Sequence, residues 1–153
     1  MSWCIDTSSL IQAHRRAYPR SLFPSLWERL EALIAGGSVV APDEVLKELS
    51  VEDDELLEWA RTQRGLFVPL DAAQQDVVTR IVLPAYPARG LPEVALSKAW
   101  ADPWVIALAR LRGLRVVTEE RKDLESRIPV VCGKVGVRCT NLLGLIEAEG
   151  WTF

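Results

Sequence analysis

Apolar positions along this chain fall into two kinds of run. Short continuous ones, such as Trp3-Cys4-Ile5, Ser38-Val39-Val40-Ala41 and Leu114-Arg115-Val116-Val117, carry no in-out alternation. Longer stretches repeat apolar residues every three or four positions. The first kind predicts strands buried on both faces, the second amphipathic helices. Ser2–Ile5 reads as the first strand and Ser8–Tyr18 as a helix stopped by Pro19. Phe23, Leu26, Trp27, Leu30, Leu33 and Ile34 outline the next helix, which Gly36-Gly37 closes. Ser38–Ala41 is the second strand, and Pro42 opens a helix to about Leu49. A helix opened by Asp53-Asp54 ends at Gly65, Leu66–Leu70 is the third strand, and Pro69 places that strand's end or an edge there. Asp71 caps a helix to about Leu83.

Pro84–Pro92, with three prolines and a glycine, is the one long loop. Asp102 at a cap with Pro103 after it begins the clearest helix, ended by Gly113. Leu114–Thr118 is the fourth strand, Arg121–Arg127 a charged loop and Pro129–Lys134 a short helix. Val135–Thr140 is the fifth strand, and Asn141 caps a last helix, Leu142–Glu149. Strands and helices therefore alternate. This predicts an α/β fold, a three-layer α/β/α sandwich around a mostly parallel sheet of about five strands. Residues 1–153 form one domain, long enough for its own core.

Composition narrows the function classes. A hydrophobic share of 49% with 25% charged residues is that of a globular chain, not a disordered one. No apolar run approaches the roughly 20 residues of a membrane span, and the first residues lack the basic-then-apolar pattern of a signal peptide. The three cysteines have no metal-type spacing and read as buried free thiols, so a cytoplasmic location is expected. A net charge of −3 means that nucleic acid would need a local basic patch. No glycine-rich turn follows the first strand, which excludes a dinucleotide site of the usual kind.

The chemistry lies in acids placed at strand ends and helix starts. Right-handed crossovers bring the carboxyl ends of parallel strands to one edge. Asp6 follows strand one, Glu119 and Glu120 follow strand four, Asp102 starts the helix leading into strand four, and Glu48 lies one helix beyond strand two. Carboxylates gathered there repel unless a cation separates them, and an all-oxygen site suits Mg²⁺ or Mn²⁺. Each acid alone is equally an ordinary cap or surface charge. An Asp-x-Asp nucleophile of phosphatase type is disfavoured, because Ser8 stands at the second position.

The segments Ile5-Asp6-Thr7-Ser8-Ser9-Leu10, Val45-Leu46-Lys47-Glu48-Leu49, Ala101-Asp102-Pro103-Trp104-Val105-Ile106-Ala107-Leu108-Ala109 and Val116-Val117-Thr118-Glu119-Glu120 together resemble the PIN-domain family. Its VapC-like toxin branch is the most similar. The resemblance implies a Mg²⁺- or Mn²⁺-dependent endoribonuclease, commonly a homodimer and commonly paired with an antitoxin protein that occupies the site. On that pattern Asp6, Glu48, Asp102 and Glu120 are the catalytic, metal-binding acids, and Glu44 is a rival to Glu48. Ser8 matches a small polar residue that holds Asp6 or a metal-bound water; Glu119 and Asp123 lie near the fourth acid. Glu at 120, where Asp is usual, leaves a second reading open: a catalytically impaired PIN-like RNA- or protein-binding module.

RNA-contact candidates are Arg15 and Arg16 on the first helix and Arg121 and Lys122 after strand four. His14 reads as solvated and not catalytic. Trp27, Trp59 and Trp104 read as core or dimer-face residues, while Trp100, just before Ala101-Asp102-Pro103, is the tryptophan best placed to touch a substrate or partner.

Overall fold

The computed structural model describes residues 1–87 and 100–153. Its five-stranded sheet is parallel throughout, in the order β3-β2-β1-β4-β5. The strands are β1 (Trp3–Ile5), β2 (Val39–Pro42), β3 (Phe67–Val68), β4 (Arg115–Val117) and β5 (Cys139–Thr140). In register, Cys4 lies between Val40 and Val116, and Ile5 faces Val117. Trp3, Cys4 and Ile5 are almost wholly buried, as an unalternating run in a covered sheet must be.

The helices are α1 (Thr7–Gln12, prolonged by a π-helical turn Ala13–Ala17), α2 (Pro24–Ala35), α3 (Asp43–Glu52) and α4 (Asp54–Arg61). Then come α5 (Ala72–Val77, running into turns that end at Ala85), α6 (Asp102–Arg112), α7 (Ile128–Lys134) and α8 (Leu142–Ala148). The chain moves outward from β1 to β2 and β3, then returns past β1 to β4 and β5. Crossovers of one hand in opposite directions lie on opposite faces, which gives the three layers. Among the described helices α6 is the most buried. Val105, Ile106, Ala107, Leu108 and Ala109 are all buried, and the helix packs across β1, β2 and β4. Gly113 ends it at φ 65°, a left-handed conformation that glycine adopts without a Cβ clash. Among the other helices, Trp27 of α2 meets Trp59 of α4 edge-on, with ring centroids 5.0 Å apart.

Several element ends differ from expectation. Pro42 closes β2 and precedes α3 instead of opening it. The third strand shrinks to Phe67–Val68 at the sheet edge, where Pro69 follows it. The fifth shrinks to Cys139–Thr140, because Val135 and Val137 complete the end of α7 with backbone bonds to Cys132. Within the proline-rich stretch, Leu83–Ala85 is a 3₁₀ turn; the part of the expected loop beyond residue 87 lies outside the described residues. His14 is not solvated: its side chain is only 15% exposed, lies edge-on to Trp27 and pairs with Glu55 at 3.3 Å. Cys4 and Cys132 are buried free thiols, whereas Cys139 is half-buried. No helix among the described residues is long and apolar enough to cross a membrane.

Candidate metal centre

Strand order sets the place of the site. From β1 the chain leaves toward β2, and from β4 it leaves toward β5. The carboxyl ends of these two neighbours therefore form the point where the winding reverses, the usual crevice of such sheets. Asp6 is the first residue after β1, and its N–H continues the ladder to the Val117 carbonyl at 2.9 Å. Thr118, Glu119 and Glu120 follow β4, and Asp102 begins α6 from the face packed against both strands.

Asp6, Asp102 and Glu120 each offer a carboxylate oxygen, and the three oxygens lie within 4.8 Å of one another. Asp6 is held from one side only. Its Oδ2 accepts hydrogen bonds from Ser8 Oγ at 2.7 Å and Thr118 Oγ1 at 3.0 Å, while its Oδ1 is buried without a partner among the described residues. The Glu119 N–H donates to Ser8 Oγ, so loop backbone fixes the serine that fixes Asp6. One Glu120 oxygen accepts the N–H of Ile128 at the start of α7. Glu48 stands beside the three: it accepts at 2.6 Å from Oγ1 of Thr7, the residue next to Asp6.

Burial and repulsion from neighbouring carboxylates disturb Asp6, Glu48 and Asp102. Burial, then the charge of Glu120, pushes Asp6 up to about 6 against the hydrogen bonds of Ser8 and Thr118. Burial raises Glu48 to about 7, with Asp6 and Glu120 adding to it and the Thr7 bond opposing it. Asp102 lies well above its usual range, first from burial and then from Asp6 and Glu120. The raised values mark charge that a cation of the right size would neutralise.

Other expected residues go elsewhere. Asp102 is the first helical residue of α6, after Ala101, and makes no capping bond; its carboxylate turns toward Asp6 and Glu120 instead. Glu44 accepts from Lys47 Nζ at 2.7 Å, a pair on α3 outside the cluster of three. Glu119 Oε1 accepts the Leu142 N–H at 2.9 Å and so serves the start of α8. Asp123 is exposed and holds Arg121 through two bonds, at 3.0 and 2.7 Å. Arg15 is tied to Asp53 at 2.9 Å, and Arg16 is exposed. Lys122 differs from them, lining a cavity of about 400 Å³ with Glu120, Thr118, Thr140 and Cys139. Thr7, which orients Glu48, was open to sequence reasoning as a hydroxyl beside Asp6. Tyr86 was not: it sits six residues beyond Arg80 in a proline-rich stretch with no pattern linking it to an acid.

The different fates of Glu119 and Glu120 are separable by mutation. Glu119→Ala should cost about 1 kcal/mol, the scale of a lost helix-start hydrogen bond, and leave metal affinity within about twofold by calorimetry. A large loss of metal affinity would return Glu119 to the site.

None of the curated proteins compared matches this chain. Residues 3–153 match the family described as domain of unknown function (DUF4411), and the chain belongs to that family.

Proposed function

We propose that this protein is a metal-dependent endoribonuclease of PIN-like type that hydrolyses RNA phosphodiester bonds and serves as the toxin of a toxin–antitoxin pair. One observation carries the chemical half of this reading. Among the described residues Asp6 Oδ1 is buried without a hydrogen-bond partner, and Asp6 offers one carboxylate oxygen within 4.8 Å of oxygens of Asp102 and Glu120. A buried carboxylate oxygen with no partner is costly, and a cation is the partner that also offsets the neighbouring charges of Asp102 and Glu120. The donor set is all oxygen, which suits Mg²⁺ or Mn²⁺ and not a thiolate-seeking metal. Asp6, Asp102 and Glu120 would hold the ion, with Glu48 reaching it through water.

Such an ion, when bound, activates a water for in-line attack on a phosphodiester and offsets charge on the leaving oxygen. The chain's own groups supply order. Ser8 and Thr118 occupy Asp6 Oδ2 and leave Oδ1 free. Thr7 fixes Glu48, and the Ile128 N–H anchors Glu120. Of the four RNA-contact candidates, Arg16 and Lys122 are exposed and outside the ion pairs found among the described residues, and they suit phosphate contact. RNA as the substrate, the antitoxin partner and homodimerisation rest on the sequence resemblance to PIN domains.

The test combines calorimetry with cleavage of end-labelled single-stranded RNA. Mn²⁺ should bind in the micromolar-to-millimolar range, and cleavage should require Mn²⁺ or Mg²⁺ and stop with chelator. A protein that binds neither ion and cuts no RNA would sink the nuclease reading and leave a PIN-like binding module.

A further inference from the structure

Near the start of α6 lie two buried donors with no acceptor among the described residues. There the Tyr86 hydroxyl and the Trp100 indole N–H are both without a hydrogen-bond partner, and Tyr86 is only 6% exposed. Their rings meet edge-to-face, with centroids 5.0 Å apart. Trp100 stands two residues before Asp102 and its ring meets that of Tyr86, so this aromatic pair lies at the start of α6, next to the Asp102 end of the carboxylate cluster. The helical segment that leads to Tyr86 packs against α6, which holds it there.

The orphaned atoms are complementary in kind. Asp6 Oδ1 can only accept, and it calls for a cation. The indole N–H can only donate, and the phenol has an unused O–H, so these two call for an acceptor. A bare cation would satisfy Asp6 alone. A bare anion would be repelled by three carboxylates. A cation carrying an oxyanion satisfies both sides at once.

We propose that Tyr86 and Trp100 are positioning residues that donate hydrogen bonds to the non-bridging oxygens of a phosphate group held at the carboxylate cluster together with its cation. This rests on the metal-centre reading above and goes beyond it by assigning the anion side of the site. Dispersed negative charge on a phosphate is what such fixed, water-excluded donors stabilise.

The experiment uses the full chain, Mn²⁺ and inorganic phosphate. Mn²⁺ affinity is measured by calorimetry, and phosphate binding to the Mn²⁺-loaded protein by paramagnetic broadening of its phosphorus resonance. Tyr86→Phe removes one oxygen and should leave Mn²⁺ affinity within about twofold while phosphate affinity falls about tenfold, the scale of one hydrogen bond to a charged group. Trp100→Phe should show the same split. Because the hydroxyl has no partner in the fold, metal-free Tyr86→Phe should melt at the same temperature or higher. Unchanged phosphate affinity in Tyr86→Phe overturns the assignment, and so does a marked drop in its metal-free melting temperature, which would give the hydroxyl a structural partner. If the natural chain binds Mn²⁺ but not phosphate, this proposal alone fails; if it does not bind Mn²⁺, the metal-centre reading fails with it.

Discussion

Asp6→Asn should abolish Mn²⁺ binding and cut RNA cleavage by about a thousandfold or more, a barrier increase of at least about 4 kcal/mol, while making the metal-free protein more resistant to heat. The two effects have one cause. Asparagine has the shape of aspartate, and its carbonyl oxygen can accept the hydrogen bonds that Ser8 Oγ and Thr118 Oγ1 now give to Oδ2. Its amide then stands where Oδ1 is unpartnered, a neutral donor in place of one of three clustered carboxylates. Without metal, a repelled and desolvated charge becomes a hydrogen-bonded neutral group, a gain on the order of 1–3 kcal/mol at neutral pH. With metal, the most buried ligand is gone. Calorimetry, thermal melts and RNA cleavage read the three consequences separately. Near-normal cleavage by a folded Asp6→Asn protein would reject the site. A collapse in stability would make Asp6 a structural residue instead.

Metal-free protein should lose stability as pH rises from about 5 to about 8, and saturating Mn²⁺ should abolish or reverse that trend. The sign follows from the direction of the shifts. Asp6 titrates near 6 in the folded chain against an ordinary 3.8, Glu48 near 7 against 4.5, and Asp102 is also raised. Across that window the folded chain keeps protons that the unfolded chain has released. The associated stability is complete below about pH 4 and is lost as pH climbs through 6 and 7. For Asp6 alone the loss is on the order of 3 kcal/mol. The acids share one cluster, so their losses do not simply add. Mn²⁺ binds the deprotonated carboxylates of the folded state only, and so contributes most where the metal-free protein is weakest. Melting temperatures across this range, with chelator and with Mn²⁺, check it. A flat metal-free profile would mean that the acids are solvated and apart.

Most of the frame was legible because it rests on local rules. Trp3-Cys4-Ile5 and Val116-Val117 had to be doubly covered strands, since no alternation offers a wet face. Asp53, Asp71 and Asn141 were recognisable helix caps, and each side chain does accept an N–H of the following first turn. The shortened β3 and β5 were not legible. Strand length depends on how far a neighbouring strand extends, and Val135 and Val137 were claimed by the end of α7.

At the site, the alternation of strand and helix was enough to bring Asp6, Asp102 and Glu120 to one edge of the sheet, because crossover handedness leaves the strand ends no other place. What each neighbouring side chain does there was decided only in three dimensions. Glu119 and Glu120 are adjacent and chemically alike, yet successive side chains leaving a strand point to opposite sides. One meets the start of α8, and the other meets Asp6 and Asp102. Tyr86 depends on the folded chain even more fully. Hydrophobic pattern reports which side of a segment is dry, but it carries no record of which distant charge will stand beside a buried hydroxyl, because that neighbour is set by packing between elements remote in sequence.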